Sequence, residues 1–195
     1  MSSISKALLF GDIDFRKLKK SADFKEDSVR EEIILPVLKE LGYKRKDIVR
    51  SKSLSHPFLK IGSKKRPINL IPDYVLKVED NFAWVLDAKS PSESVINSDN
   101  VEQVYSYAAH PEIRSTYFAL CNGIEMCIYR TQHTSIPVLL FALSEIEHYW
   151  EKLHTLLSPS SFQIGKNLTY ETTTATARPK GFDYINRPLL EEVPV

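Results

Sequence analysis

Hydrophobic and polar positions along this chain follow two periods, one typical of helices and one typical of strands. Between residues 23 and 41 the apolar side chains recur every three or four positions, which predicts a helix that Gly42 ends. Segments 74–78 and 82–87 carry the alternating and apolar runs of β-strands, and the polar residues 79–81 join them as a turn. The pattern therefore predicts a helix followed by a β-hairpin.

The second half of the chain continues the mixed pattern and is followed by an irregular end. It predicts a helix over about 100–109, strands over 116–121 and 124–129 around the Asn122-Gly123 turn, a strand over 137–142, and a helix from a capping box at 144–147 to about 157. Residues 1–22 are expected to be a loosely attached lead-in, with a short strand or helix near 7–10. Residues 158–195 are expected to form an irregular tail.

The predicted hairpin brings two carboxylates together. A hairpin centred on Asp80 makes Asp73 face Asp87, and because side chains alternate between the faces of a strand, Lys89 emerges on the same side. Adjacent carboxylates raise each other's pKa unless a cation lies between them, and hard oxygen ligands suit Mg²⁺. With an ammonium group to orient or deprotonate water, the cluster indicates metal-assisted phosphodiester hydrolysis. The alternative is a solvated hairpin whose charged residues only begin and end strands.

The predicted helix directs Glu26 towards its apolar face, whereas Glu31 lies near the edge of that face. Asp23 is expected to be the N-cap with Glu26 as its capping partner. Pro36 also allows a start nearer Ser28, with Glu31 as the partner. Glu26 is therefore either a cap that points at its own backbone or a third carboxylate for the metal cluster.

Two further groups of polar residues have both a functional and an ordinary interpretation. The segment 42–70 is basic, and its lysines and arginines either follow a phosphate backbone beside the metal site or belong to a solvated loop; the strongest candidates are Lys60, Lys64, Lys65 and Arg66. Gln103 and Tyr107 share a helix face, where they either contact a phosphate or the metal-bound water, or form ordinary helix surface.

Composition limits the class of protein. The 195 residues, 43% of them hydrophobic, are enough for one core, and the net charge of +1 means that any basic surface is local. No apolar run is long enough for a membrane span and no signal peptide is recognised, so we expect a cytoplasmic protein without membrane contact. A two-residue turn makes Cys121 face Ile124 rather than Cys127, so both cysteines are expected to be free thiols. The five histidines show no metal-ligand spacing and are expected to be exposed or partly buried.

The order of these motifs resembles the PD-(D/E)xK nuclease superfamily: a helix with a glutamate, then P-D, then D-x-K, then Q-x-x-x-Y on the following helix. More narrowly, three segments resemble the N-terminal nuclease domain of type I restriction enzyme R subunits, namely KEDSVREEIILPVLKELGY, PDYVLKVEDNFAWVLDAK and QVYSY. In that family the glutamate precedes an arginine by four positions, as Glu26 precedes Arg30 here.

This resemblance implies a restriction-endonuclease-like α/β core, with a central mixed sheet flanked by helices, over about residues 23–157. It implies that Glu26, Asp73 and Asp87 bind Mg²⁺ or Mn²⁺, that Lys89 is the catalytic lysine, and that Gln103 and Tyr107 are accessory. DNA is the implied substrate, and restriction-modification subunits or a separate motor protein are the implied partners.

Two departures from the family pattern bear on activity. The acid before the lysine is the shorter Asp87 where this group often has Glu, and no G-x-x-x-x-G-K-[ST] motif for an ATP-driven motor is present. Two hypotheses follow. The chain is either a Mg²⁺-dependent DNA endonuclease or a nuclease-like fold retained for DNA binding or subunit docking without turnover; a metal-free enzyme using His or Cys has little support.

Overall fold

Six β-strands form the main sheet of the protein. The computed structural model describes residues 4–21, 23–55, 60–61, 64–65 and 69–167. In the main sheet the strands lie in the order β1-β6-β7-β8-β9-β10, and two short pairs, β2 with β5 and β3 with β4, stand apart from it. The strands are β1 (Ile48–Arg50), β2 (Leu54–Ser55), β3 (Lys60–Ile61), β4 (Lys64–Lys65), β5 (Asn69–Leu70), β6 (Tyr74–Val78), β7 (Asn81–Ala88), β8 (Tyr117–Cys121), β9 (Glu125–Arg130) and β10 (Leu139–Ala142).

The main sheet is mixed and mostly antiparallel. Among the described strands of this sheet, only β7 and β8 pair in parallel, and the helix α5 (Ser98–Ala108) lies between them in the chain, because parallel neighbours need a crossover connection. Asn97 caps α5, since its side-chain oxygen accepts a hydrogen bond from the Asp99 amide. The expected mixed α/β arrangement of a central sheet flanked by helices is confirmed.

The central hairpin has the predicted register beside the carboxylates but not at its turn. Tyr74 pairs with Leu86, as a hairpin centred on Asp80 requires, whereas a bulge between Leu76 and Lys77 shifts the pairing nearer the turn. Glu79 and Asp80 both have positive φ, 49° and 65°, so the turn has two residues rather than the predicted three. The bulge restores the register on which the facing of the two carboxylates depends.

The first long helix, which we call the composite helix, has three parts: α3 (Glu26–Ser28), a π-helical segment (Val29–Ile34) and α4 (Leu35–Glu40). Pro36 lacks an N–H, and its ring would contact a carbonyl four residues earlier, so the wider π turn before it relieves this clash.

The C-terminal end of the composite helix agrees with the prediction, whereas its N-terminal end does not. Asp23 is not its cap, because the N-cap is Lys25, whose side chain makes no capping hydrogen bond. The predicted stop is confirmed, since Gly42 has φ 102° and the Tyr43 amide bonds to the Leu38 carbonyl.

The N-terminal residues are part of the core rather than a loose lead-in. They form two short helices, α1 (Lys6–Phe10) and α2 (Phe15–Leu18), whose side chains Leu9, Phe10, Phe15 and Leu18 are buried in the same cluster as the composite helix. Phe10 and Phe15 pack edge to face, with ring centroids 5.3 Å apart. The expectation of loose attachment is wrong because hydrophobic burial docks this segment.

The C-terminal helices also differ from the prediction. A 3₁₀ turn (Leu143–Glu145) precedes α6 (Ile146–Leu157), and Glu147 accepts a hydrogen bond from the Lys6 amide at 2.6 Å instead of closing a capping box. A further helix, α7 (Pro159–Asn167), occupies residues expected to be irregular. Residues Met1–Gln163 form one compact unit and Ile164–Val195 a second one, in which the last turn of α7 is described. The rest of the predicted tail lies outside the described residues.

The second hairpin has a longer connection than the Asn-Gly motif predicted. Cys121 pairs with Met126 rather than with Ile124, because the Asn122 side chain accepts bonds from the amides of Ile124 and Glu125. Both cysteines are free and buried, and they lie in the two different core clusters.

Each face of the main sheet has its own apolar core. The composite helix, α1, α2 and α6 cover one face and include Trp84 in their cluster, while α5 covers the other through Val101, Val104 and Tyr107. None of the helices in the described part of the chain has the length and apolar character needed to cross a lipid bilayer. The carboxylates of the candidate site lie at the ends of strands between these two layers.

Candidate functional site

Asp73 and Asp87 are brought together across the central hairpin. Asp73 directly precedes β6 and Asp87 is the seventh residue of β7. The Asp73 amide donates to Asp87 Oδ1 at 3.4 Å, and Asp73 Oδ2 accepts a bond from the Ala88 amide at 2.7 Å. These bonds hold both side chains against the end of the strand pair, as the register predicted.

Lys89 links this pair of carboxylates to α5. Its Nζ lies 2.9 Å from Asp87 Oδ2 and donates to Gln103 Oε1 at 2.7 Å. Gln103 Nε2 in turn donates to the Tyr107 hydroxyl at 2.7 Å, since residues four apart share a helix face. An ammonium group has three donors, so one N–H of Lys89 remains for a further acceptor such as water or a phosphate oxygen.

Arg30 stands between Glu26 and the carboxylate pair. Its Nη2 contacts Asp73 Oδ1 at 2.7 Å and also contacts Glu26 Oε1, while Nη1 bonds to Asp27. Glu26 and Asp73 therefore share one guanidinium nitrogen, and the Glu26 side chain is 41% exposed. The site predicted from the sequence did not include Arg30, although the spacing of four residues after Glu26 was visible.

Burial and like charge act together on Asp87. The residue is 5% exposed and Lys89 7% exposed. Burial raises the pKa of Asp87 to about 6, the charge of Asp73 adds to the rise, and Lys89 opposes it. Burial also raises the pKa of Glu26, with Arg30 opposing and Asp73 adding to it. The site thus holds negative charge that its two cations do not fully offset.

Stability in the absence of metal should depend on pH through Asp87. An unfolded Asp titrates near about 3.9, so between about pH 4 and pH 6 the folded state binds more protons, and the free energy of unfolding falls as the pH rises. A pKa difference of about two corresponds to about 3 kcal/mol. Urea unfolding in EDTA at pH 4 and pH 7 should show this loss in the wild type relative to Asp87→Asn.

The exposed Asp12→Asn provides the control for this measurement because it makes the same chemical change at the surface. Its stability relative to the wild type should vary little with pH. A stability difference between wild type and Asp87→Asn that stays constant from pH 4 to pH 7 would contradict the raised pKa of Asp87 in the folded state.

One cavity adjoins Asp73, and a second cavity shares the Arg50 side chain with it. One, of about 230 Å³, is lined by Asp73, Arg30, Arg50, Asp27, Glu31, Ser51 and Tyr74. Arg50 also lines a larger cavity of about 490 Å³ together with Leu35, Lys39, Arg45 and Ile48. Basic side chains therefore extend from the carboxylate pair along the β1 side of the sheet.

The basic residues predicted to contact DNA are only partly described. The backbones of Lys60, Lys64 and Lys65 form the β3–β4 pair, in which Lys60 faces Lys65, and Arg66 lies outside the described residues. Among the histidines, His110 is fully buried rather than exposed: it receives a bond from the Glu112 amide.

Within the described ranges, no group of three or more His, Cys, Asp or Glu side chains is arranged to hold a metal ion. Of the three carboxylates in the predicted set, Asp73 and Asp87 are linked directly, and Glu26 meets Asp73 at the same guanidinium nitrogen of Arg30. No protein-family model, curated protein or solved structure matches this sequence.

Proposed function

We propose that this chain is a metal-dependent DNA endonuclease that hydrolyses phosphodiester bonds in the cytoplasm on a restriction-endonuclease-like core. The observation that carries the proposal is the meeting of Asp73, Asp87 and Lys89, from two strand ends, with Gln103 and Tyr107 of α5. These are the positions of the acids, the lysine and the accessory motif that the PD-(D/E)xK resemblance implies.

The donor chemistry of the carboxylate pair fits Mg²⁺ or Mn²⁺. Mg²⁺ commonly uses one or two protein carboxylates and completes its shell with water and phosphate oxygens, so Asp73 and Asp87 suffice as protein ligands. The raised pKa of Asp87, caused first by burial and then by the charge of Asp73, marks a position where added positive charge is favourable. When bound, such an ion polarises the scissile phosphate and promotes deprotonation of water.

The chain's own side chains orient the reacting groups. The remaining N–H of Lys89 can be directed at the water or at a phosphate oxygen, because Asp87 and Gln103 already fix its other two donors. Tyr107 fixes the amide of Gln103 and so the position of the ammonium. Arg30, which bridges Asp73 and Glu26, offers a planar donor that suits phosphate as well as carboxylate.

The experiment is a test of metal dependence. Purified protein should cleave supercoiled plasmid DNA when Mg²⁺ or Mn²⁺ is added and should stop when EDTA is in excess. Cleavage that continues in EDTA, or that separates from the protein on a sizing column, would contradict the proposal. Addition of restriction-modification subunits or a motor protein tests whether cleavage needs a partner.

A second candidate function is a nuclease-like module that binds DNA or docks a subunit without turnover. One observation favours it: each carboxylate of the pair already has a cationic partner, Arg30 for Asp73 and Lys89 for Asp87. DNA binding without cleavage under any divalent metal would support this module in place of the enzyme.

A further inference from the structure

A strongly basic groove borders the candidate site on the β1 side. The basic groove is the cavity of about 490 Å³ lined by Leu35, Lys39, Arg45, Ile48 and Arg50. Of the described residues that line it, three are cations, two are aliphatic and none is a carboxylate. Positive charge is thus concentrated on this part of a chain whose net charge is only +1.

Local periodicity explains why these side chains share one wall. Leu35 and Lys39 are four apart on α4 and so lie on one helix face, while Ile48 and Arg50 are two apart on β1 and so lie on one face of the strand. Arg45 comes from the 3₁₀ turn between the two elements. The wall is built on regular secondary structure, which gives the cations defined positions.

The cations of the groove are available to a ligand. Lys39 and Arg45 are exposed and have no ion-pair partner among the described residues. Arg50 pairs with Glu31 at 2.7 Å, but both side chains are about half exposed, and such surface pairs contribute little free energy. A dianionic or polyanionic ligand can therefore replace Glu31 as the partner of Arg50.

Arg50 joins the wall of the basic groove to the wall of the cavity beside the candidate site. This side chain also lines the cavity of about 230 Å³ that contains Asp73 and Arg30, and the Ser51 amide bonds to the Asp73 carbonyl at 3.0 Å. A chain-like anion lying in the basic groove would thus extend towards the carboxylate pair. The guanidinium group of an arginine can donate two parallel hydrogen bonds to one phosphate, and the aliphatic side chains offer contact area for sugars.

We propose that the basic groove binds the phosphodiester backbone of DNA next to the phosphate presented to Asp73 and Asp87. The position of the scissile phosphate rests on the proposed function, whereas binding of the backbone in the groove does not. Backbone contacts of this kind are independent of sequence and depend on salt, because each neutralised phosphate releases counterions.

The test measures DNA affinity in EDTA, so that cleavage plays no part. A labelled duplex oligonucleotide is titrated by fluorescence anisotropy at several salt concentrations with the wild type and with the double variant Lys39→Gln, Arg45→Gln. Each lost contact should reduce the slope of log affinity against log salt by about 0.9, hence by about two for the pair. Binding at about 0.1 M salt should weaken about 60-fold.

The matched control removes the same number of charges elsewhere. Lys46 and Lys152 are exposed, do not line the groove and have no ion pair within the described ranges. The double variant Lys46→Gln, Lys152→Gln should bind within about threefold of the wild type, since neither residue lines the groove or the candidate site. Thermal unfolding by circular dichroism checks that both double variants are folded.

The outcomes separate the groove from the enzyme. Equal weakening in both double variants, or no DNA binding by the wild type, would contradict the proposal that the groove binds the DNA backbone. If polyglutamate bound as tightly as the DNA duplex and this binding were lost in the groove variant, the groove would be a site for an acidic polypeptide. That result would also contradict the proposal. Loss of affinity in the groove variant alone supports the groove even if no protein cleaves plasmid, a result that would remove only the proposed function.

Discussion

Asp73→Asn is expected to reduce metal-dependent plasmid cleavage at least about 1,000-fold. The amide keeps the shape of the side chain and its place beside the Ala88 amide, but it removes the charge that faces Asp87 and that would hold the metal. A loss of about 4 kcal/mol of transition-state stabilisation corresponds to this factor, because each 1.36 kcal/mol is about tenfold in rate. Initial rates of supercoil loss at saturating Mg²⁺ measure it.

The matched control is Glu26→Gln. It makes the same chemical change in the third carboxylate of the predicted set, which contacts Arg30 and is 41% exposed. Its effect should be about tenfold or less, because its charge reaches the metal site only through Arg30. Equal losses in the two variants would mean that Glu26 is a metal ligand after all, and equal cleavage by Asp73→Asn and wild type would refute the assignment of the carboxylate pair.

Trp84→Ala is expected to give the largest loss of stability. Trp84 lies on β7, three residues before Asp87, and is completely buried. Its Nε1 donates to the Tyr43 hydroxyl at 2.8 Å, and that hydroxyl donates to the Leu157 carbonyl at 2.7 Å, so one chain of bonds joins β7 to α6. Truncation of a buried aromatic residue costs about 3–5 kcal/mol in the free energy of unfolding. Urea unfolding measures this loss.

Trp150→Ala provides the control for volume because it removes the same side chain from α6, where the ring is only partly buried. Its cost should be about half as large or less, since less apolar area is removed from contact. Tyr43→Phe isolates the bonded chain and should cost about 1 kcal/mol. A larger loss in Trp150→Ala than in Trp84→Ala would contradict the placement of the core.

The meeting of Asp73 and Asp87 was predictable from the sequence because it depends on short-range rules. Strand alternation and a short turn specify which residues face each other, and the observed pairing of Tyr74 with Leu86 agrees with the predicted centre. The predicted turn was one residue longer than the observed turn. The bulge shifts the pairing by one residue and so restores the predicted register, which only the pairing of the complete hairpin reveals.

The role of Arg30 was not predictable in the same way. Its contact with Asp73 joins residues from a helix and a strand, and it depends on how the composite helix packs on the sheet. The π turn before Pro36 and the bond from the Tyr74 hydroxyl to the Arg30 carbonyl help set this position. Local patterns contain no information about such docking, so the contact of Arg30 with both Glu26 and Asp73 was not predicted.

The sequence by itself determined the composite helix, the hairpins β6–β7 and β8–β9, the elements α5, β10 and α6, the facing of the two aspartates, and the shared helix face of Gln103 and Tyr107. These features follow from backbone periods of 3.6 and 2 residues, which act over a few positions. The tertiary structure alone decided that the N-terminal helices join the core, that Arg30 bridges Glu26 and Asp73, and that Lys39, Arg45 and Arg50 line one groove. Those features depend on side chains distant in sequence, whose positions are set by the packing of helices on the sheet.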